Sequence, residues 1–547
     1  VLDTTEAFSG LVSSTVIIVG VMFVVVTGLS FTGVLQWISK HVLGQPKGEV
    51  HALLRLMVPV ALLSSFVNNT SVVALFVGVV KLWSRKLGIQ PSKLLIPLSY
   101  AAGMGGPMAA IATPTALLLS DMYEYKSGQP LSIFTSTLPA LVCLAVAMSV
   151  IIIFRRLLPD TNNPESAFEN TGEYTLEMLV PSNNRHIGQT VGELGLNHVP
   201  AGSLMELIHF DNDRLVLPVR EEEPLLGSDR LIFSGQIDQL LELAKTFQFV
   251  IPDHTVFSVK EPGGKQRLKT AYICFGSNLI DTRMGDTTFE RDHEITLVAV
   301  SRRGERIKVP PRDVVLHAGD SLLFVHQPHQ KINTEAMKLQ LEFFDSPEIP
   351  VTGLKPLVST VIMISMVLLA TTGIMSLLQS AFLAASAMLV FRCCTPTQAM
   401  NSINWEIIIT LTGGIAISTA IQKTGIADYV ATGVFSLCGN NPLLVLIALC
   451  VMAAIVTEFV SNSSAIVLMF PIVYATTVDL GCPLLPYAIA LLLSVNSAFL
   501  TPVSSPLNLL VYGPGGYRAT DYLRIGLPLK LVYLTTAIVA ICLIYDI

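Results

Sequence analysis

Phe66-Val67-Asn68-Asn69-Thr70-Ser71 and Phe459-Val460-Ser461-Asn462-Ser463-Ser464 decide how this chain is read. Each is a short cluster of amides and hydroxyls inside a long apolar run, 50–82 for the first and 441–478 for the second. Such groups are costly in hydrocarbon unless they meet one another, backbone or a ligand. Two matched islands therefore imply one site assembled from two halves. Runs of about 33 to 38 residues are too long for one membrane crossing and too short for two full crossings with a loop. A re-entrant helical hairpin with the polar cluster at its tip fits that length.

Composition agrees. The 547 residues are 51% hydrophobic with a mean hydropathy of +0.61, which marks a polytopic α-helical membrane protein. A net charge of −6 and a pI near 6.0 leave no basic footprint for nucleic acid. The cysteines at 143, 274, 393, 394, 438, 450, 482 and 542 show no paired CxxC spacing, against a metal site or a disulfide framework. Apolar spans run over 13–38, 50–82, 92–122 and 131–158, then over 354–376, 378–392, 405–421, 441–478, 484–512 and 525–546. Between them lies a charged stretch with strand-like segments such as 204–210 and 295–300 and turn clusters such as Pro262-Gly263-Gly264. The division expected is a membrane repeat over 1–158, a two-part soluble insert over 160–250 and 251–345, and a second membrane repeat over 351–547.

The two membrane blocks share landmarks. Thr32-Gly33 recurs as Thr424-Gly425 after 392 residues, Asn69 recurs as Asn462 after 393, and Thr113-Pro114 recurs as Ser505-Pro506 after 392. A common offset points to an internal duplication. Block two has two spans before its Thr-Gly helix, so the repeat predicts two further helices ahead of Val1. Lys81, Arg85, Lys86 and Lys93 flank the first hairpin; with Arg155, Arg156, Arg518 and Arg524 they fit the cytoplasmic side. The second hairpin, bounded by Asn440-Asn441-Pro442 and Asp479, has no basic flank and fits the outside. The repeats are then inverted. A helix broken by glycine or proline follows each hairpin, at Gly103-Met104-Gly105-Gly106-Pro107 and at Thr501-Pro502-Val503-Ser504-Ser505-Pro506.

Hairpin tips and breaks in the membrane expose helix-end amides suited to an anion, and carbonyls suited to a small hard cation. No lysine or arginine is expected near either tip, so an anion's charge falls to cations and helix ends. The tips Asn68-Asn69-Thr70 and Ser461-Asn462-Ser463, with Thr457-Glu458, the stretch from Pro502 to Asn508 and Gly513-Pro514-Gly515-Gly516, resemble the divalent anion/sodium symporter family of the ion transporter superfamily. That family carries Ser-Asn-Thr at its tips.

The resemblance implies a secondary transporter in the cell's inner membrane, not an enzyme. It would be a homodimer, coupling sodium to a small divalent anion such as sulfate or a dicarboxylate by an elevator-type movement. It also implies one sodium site from Ser64, Asn68, Asn69 and a carbonyl near Gly106, and a second from Thr457, Asn462 and carbonyls near Val460 and Thr501. The anion would lie among Asn69, Thr70, Asn462, Ser463 and Pro502. The chain departs from the family where Asn68 replaces serine, Ser463 replaces threonine, and Thr115-Ala116 stands for Pro-Asn. Glu458 reads as a buried protonated or hydrogen-bonded carboxylate, with proton coupling as the alternative. Rival functions are a sodium/proton antiporter or arsenite-type exporter, a potassium-transport protein, and a ligand sensor.

The insert contains two similar units. One holds Ile187 to Val191, Leu217-Pro218 and Gly227-Ser228-Asp229-Arg230-Leu231; the other holds Leu279 to Thr282, Val309-Pro310 and Ala318-Gly319-Asp320-Ser321-Leu322, with Asp320 following Asp229 by 91 residues. Both are similar to the TrkA-C (RCK-C) regulatory domain of potassium-transport proteins, a cytoplasmic α/β module. That likeness implies either a sensor for a nucleotide, such as a cyclic dinucleotide, or a dimer scaffold. No Gly-x-Gly-x-x-Gly fingerprint follows a strand here, so NAD is not implied.

Overall fold

The computed structural model describes residues 2–4, 8–34, 42–44, 46–109, 111, 113–129, 131–161, 173–196, 202–209, 214–216, 219–250, 256–258, 268–274, 276–293, 295–303, 305–307, 313–326, 341–342 and 354–545. The turn at Pro262-Gly263-Gly264, the pairs Leu217-Pro218 and Val309-Pro310, and Phe210 at the end of the expected strand lie outside them. Two compact units emerge. One comprises Val1–Pro159, Ser346–Val511 and Arg518–Ile547, the other Asp160–Asp345 with Tyr512–Tyr517.

In the first unit, α1 (Ser14–Phe31) precedes a pair broken at the first polar cluster, α2 (Glu49–Ser64) and α3 (Asn69–Leu87). A second broken pair follows, α4 (Ser92–Gly105) and α5 (Pro114–Ser127), and then α6 (Thr137–Ile153). The broken pairs form because the apolar run is interrupted by residues that cap better than they propagate. Asn68 Oδ1 accepts from the Thr70 amide at 2.9 Å, and Thr113 Oγ1 accepts from the Ala116 amide at 3.3 Å.

The insert folds as two five-stranded antiparallel sheets. The first contains β1 (Glu173–Leu179), β2 (Gly202–His209), β3 (Arg214–Val216), β4 (Arg230–Gln236) and β5 (Val256–Ser258), flanked by helix α7 (Ile237–Phe247). The second contains β6 (Leu268–Ile273), β7 (Ile295–Arg302), β8 (Glu305–Arg306), β9 (Ser321–His326) and β10 (Leu341–Glu342). Their orders, β3-β2-β4-β1-β5 and β8-β7-β9-β6-β10, are the same topology. Both even carry a bulge at the same place, between Leu204 and Glu206 and between Leu297 and Ala299.

The first sheet extends past the expected boundary at 250, because β5 pairs with β1 through Tyr174–Ser258 and Leu176–Val256. The aspartates marked by the sequence repeat do matching work. Asp229 Oδ2 accepts from the Leu226 amide at 2.7 Å and lies 2.9 Å from Nδ1 of His209, the last residue of β2. Asp320 Oδ2 accepts from the His317 amide at 2.9 Å, and its carboxylate takes both Nε and Nη2 of Arg302, the last residue of β7. Those bonds push the Arg302 guanidinium above its already high ordinary pKa.

The second half of the first unit continues with α8 (Lys355–Thr371), α9 (Leu377–Val390), α10 (Trp405–Lys423) and α11 (Ile426–Cys438), which the apolar spans had not marked. Then come the broken pair at the second cluster, α12 (Pro442–Val456) and α13 (Asn462–Leu480), another broken pair, α14 (Leu484–Val495) and α15 (Pro506–Gly515), and α16 (Ala519–Tyr545). Helices α1 and α10 each end on threonine followed by glycine in left-handed conformation, Gly33 at φ 83° and Gly425 at φ 72°. Glycine suits this position because it carries no Cβ.

Among the described residues, α1, α13 and α16 are long and apolar enough to cross a membrane; α10 and α11, bent by 67°, count as a fourth if they form one span. The remaining apolar helices are short, such as the 14 residues of α9. Lys81, one of the basic residues that flank the first polar cluster, is 4% exposed within α3.

Replacing Asp320 with alanine removes the acceptor for a backbone amide and for Arg302. The expected loss is about 1–3 kcal/mol in the unfolding of the insert, read by denaturant titration of the protein. Asp229→Ala is expected to do the same in the first sheet.

Candidate functional site

Four helices begin at one cavity of about 390 Å³ in the first unit. Asn69 opens α3, Pro114 opens α5, Asn462 opens α13 and Pro506 opens α15, and all four residues line it. Each helix N-terminus carries partial positive charge and amides without intrahelical partners. Among the described residues, none of the side chains lining the cavity is charged. Its walls are asparagine, serine, threonine and tyrosine set among small and apolar residues. The space therefore offers hydrogen bonds and helix ends to an anion, with no formal charge.

The first tip is fixed to the first break by close backbone approach. Ser65 Oγ, within reach of Ala61 O at 3.0 Å and Gly105 O at 3.2 Å, links tip to break. A Cβ on Gly105 would stand 2.3 Å from Ala61 O, and one on Gly106 would stand 2.8 Å from Asn69 Nδ2 and 2.6 Å from Thr113 Cγ2. Glycine is required at Gly105, where a Cβ would meet backbone, whereas at Gly106 the side chains of Asn69 and Thr113 would have to give way. Beside this contact, Ser64 Oγ and Asn69 Oδ1 are buried and meet no hydrogen-bond partner. Buried oxygens without donors are costly, and a cation would satisfy them.

At the second tip, Thr457 Oγ1 lies 3.0 Å from Asn462 Oδ1 and 2.8 Å from Val495 O, and Thr457 is fully buried. A hydroxyl has one proton, so Thr457 can donate to only one of the two acceptors at any time. Three oxygens sharing a single proton form a second cation-suited cluster. Ser461 caps α13 by accepting from the Ser464 amide at 3.3 Å. The two halves touch where Thr115 Oγ1 approaches Ser463 Oγ at 3.4 Å.

Of the residues named from sequence, Asn68, Asn69, Thr70, Asn462 and Ser463 line the cavity. Ser64 and Thr457 lie behind it in the oxygen clusters just described, and Gly106 abuts Asn69. Pro502 is buried but does not line the cavity, unlike Ser505 through Asn508 just after it. The Thr501 carbonyl is taken by Ser504 Oγ at 2.8 Å and Asn508 Nδ2 at 3.1 Å. Val460 is half-buried beside the tip, and Val495 supplies the carbonyl that reaches Thr457.

Sequence reasoning missed Ser99, Tyr100, Asn404, Asn496 and Asn508, all of which line the cavity. Only Asn508 carried a signal, as a polar residue just after the second break. One expectation is corrected: a lysine does lie near a tip. Lys530 Nζ is 2.7 Å from Glu458 Oε1, and it was missed because α16 is remote from the tip in sequence. Its charge is met by Glu458, so the cavity remains neutral.

A family model described as citrate transporter matches the chain over residues 1–380 and 361–546. The chain belongs to the citrate transporter family. It is therefore a membrane transporter.

Relatives in that class include a transporter of Synechocystis sp., 28% identical over 99% of this chain and 91% of its own length. Sodium/sulfate cotransporter 2 of Chlamydomonas reinhardtii is 21% identical over 99% of this chain and 85% of its own. Human solute carrier family 13 member 4 is 30% identical over 25% of this chain and 22% of its own. These relatives support the resemblance to divalent anion/sodium symporters drawn from the tip motifs. The solved YdaH transporter of Alcanivorax borkumensis aligns with a TM-score of 0.44 at 11% identity, covering 99% of this chain and 88% of that one, too distant a likeness to argue from.

Gly105→Ala is expected to destabilise the first tip more than Gly106→Ala, because it meets backbone rather than side chains. The expected cost is about 1–3 kcal/mol, seen as a lower thermal midpoint of the purified protein in detergent.

Proposed function

We propose that this transporter is a sodium-coupled symporter of a small divalent anion, with sulfate ahead of dicarboxylates. One observation carries the reading: a neutral cavity faced by four helix N-termini and flanked by two clusters of oxygens short of protons. A dianion in such a space meets only the poles of helix dipoles, which stabilise it without adding net charge, and so lacks formal countercharge. Cations held at Ser64 and Asn69, and at Thr457, Asn462 and the Val495 carbonyl, would supply the rest. Anion and sodium then bind interdependently, which is the basis of coupling. Relatives named as sodium/sulfate cotransporters give sulfate its priority.

The remaining parts of the reading are consistent with this core. The matched breaks, and the paired Gly33 and Gly425 ends, support an inverted repeat with two re-entrant hairpins. Its movement would be of elevator type, against a homodimer scaffold in the inner membrane. The two sheets of equal topology support a regulatory insert of two TrkA-C-like modules on the cytoplasmic side, where a nucleotide is the ligand to test.

Purified protein in proteoliposomes is expected to take up labelled sulfate under an inward sodium gradient and not under a choline gradient, with succinate as the second substrate assayed. Uptake of neither anion with sodium would reject the reading. Asn69→Ala and Thr457→Val are each expected to raise the half-saturating sodium concentration about tenfold, equivalent to about 1.4 kcal/mol per cation site.

A further inference from the structure

Behind the cavity lies a buried ion pair to which the transport reading gives no role. Lys530 and Glu458 have side chains 8% and 7% exposed, with Nζ and Oε1 2.7 Å apart. Lys530 Nζ also donates to the Ala454 carbonyl on α12, at 2.5 Å. The same Glu458 Oε1 accepts from the amides of Phe499 at 3.2 Å and Leu500 at 3.3 Å. Glu458 Oε2 is buried without a hydrogen-bond partner.

An ammonium and two amides thus converge on one carboxylate oxygen. Stability alone is a poor reason to keep such a pair, because desolvating two ions often costs more than their attraction returns.

Position supplies a better reason. Glu458 directly follows Thr457, so it is rigidly joined to one wall of the second oxygen cluster. Phe499 and Leu500 lie just beyond Val495, whose carbonyl is the other wall. The carboxylate thus ties the tip segment 457–462 to the break that follows α14, and Lys530 holds it there from α16. The backbone of that break is held from the other side as well, where Tyr100 donates to the Phe499 carbonyl at 2.7 Å.

We propose that Glu458 and Lys530 are positioning residues for the second cation cluster: they set the separation of Thr457 and Asn462 from the Val495 carbonyl, and so tune sodium affinity without touching the anion. This rests on the sodium-coupled reading. It also assigns Glu458 an anchoring role in place of proton coupling.

The test is uptake by wild type, Glu458→Asp, Glu458→Gln and Lys530→Arg in proteoliposomes, with sodium and anion varied separately. Glu458→Asp keeps the charge pair but shortens the arm, so the fold survives while the geometry shifts. Glu458→Asp and Glu458→Gln are expected to raise half-saturating sodium about tenfold or more, as loss of a ligand-orienting partner does. Anion KM at saturating sodium should stay within about twofold. Lys530→Arg, which preserves the ion pair, should remain near wild type.

Three results would overturn the proposal. One is unaltered sodium dependence in the Glu458→Asp protein. Another is a fall in maximal rate alone in both Glu458 variants. The third is a shifted pH profile of uptake in Glu458→Gln, which would make the residue a proton carrier. A wild type indifferent to sodium would overturn the coupled reading along with this one, whereas a sodium-dependent wild type with indifferent variants would overturn this one alone.

Discussion

Interrupted helices inside an apolar unit leave backbone amides and carbonyls without intrahelical partners, and satisfying them governs the rest of this structure. Four interruptions, after Ser64, Gly105, Val456 and Val495, bring helix N-termini to one cavity. Some of the freed groups are met within the chain. The Phe499 and Leu500 amides go to Glu458, and the Ala498 and Thr501 carbonyls go to Asn508 Nδ2. The Val495 carbonyl shares one threonine proton with Asn462, and Ser64 and Asn69 retain bare oxygens. The division between groups met internally and groups left over is what makes a set of broken helices a candidate binding site.

The interruptions of the helices were legible in the sequence alone, because polar and helix-breaking residues stand out against a uniformly apolar background. Asn68 to Thr70 and Asn462 to Ser463 could be placed in the cavity on that signal. The rest of the cavity was hidden by distance along the chain. Asn404 reads as an ordinary helix cap, and it does accept from the Ile407 amide at 3.1 Å. Tyr100 and Ser99 sit inside an apolar helix where one hydroxyl has little weight. Lys530 lies in the span taken to begin at 525, and nothing local announces that its partner is Glu458. The donors that reach the Thr501 carbonyl, on Ser504 and Asn508, are placed by the fold of the break itself, and no local signal marks that contact.

In the insert, the repeated Gly-Ser-Asp and Ala-Gly-Asp turns were legible because the geometry demands them. Ser228 at φ 70° and Gly319 at φ 81° occupy the same left-handed position, and each is followed by the aspartate that ties a turn to a strand end. The partner at that strand end differs, histidine in one sheet and arginine in the other. The boundary between the sheets was less legible, since β5 is only three residues long and belongs to the first sheet by pairing rather than by sequence order.

The account's central claim is that anion binding needs cations because the cavity holds no formal positive charge. Sulfate affinity of the purified protein, titrated calorimetrically with sodium replaced stepwise by choline at constant ionic strength, tests it most directly. The account predicts that sulfate binds with a Kd that falls about tenfold or more as sodium rises, and that no binding heat remains in choline alone. Equal sulfate affinity in sodium and in choline would contradict it.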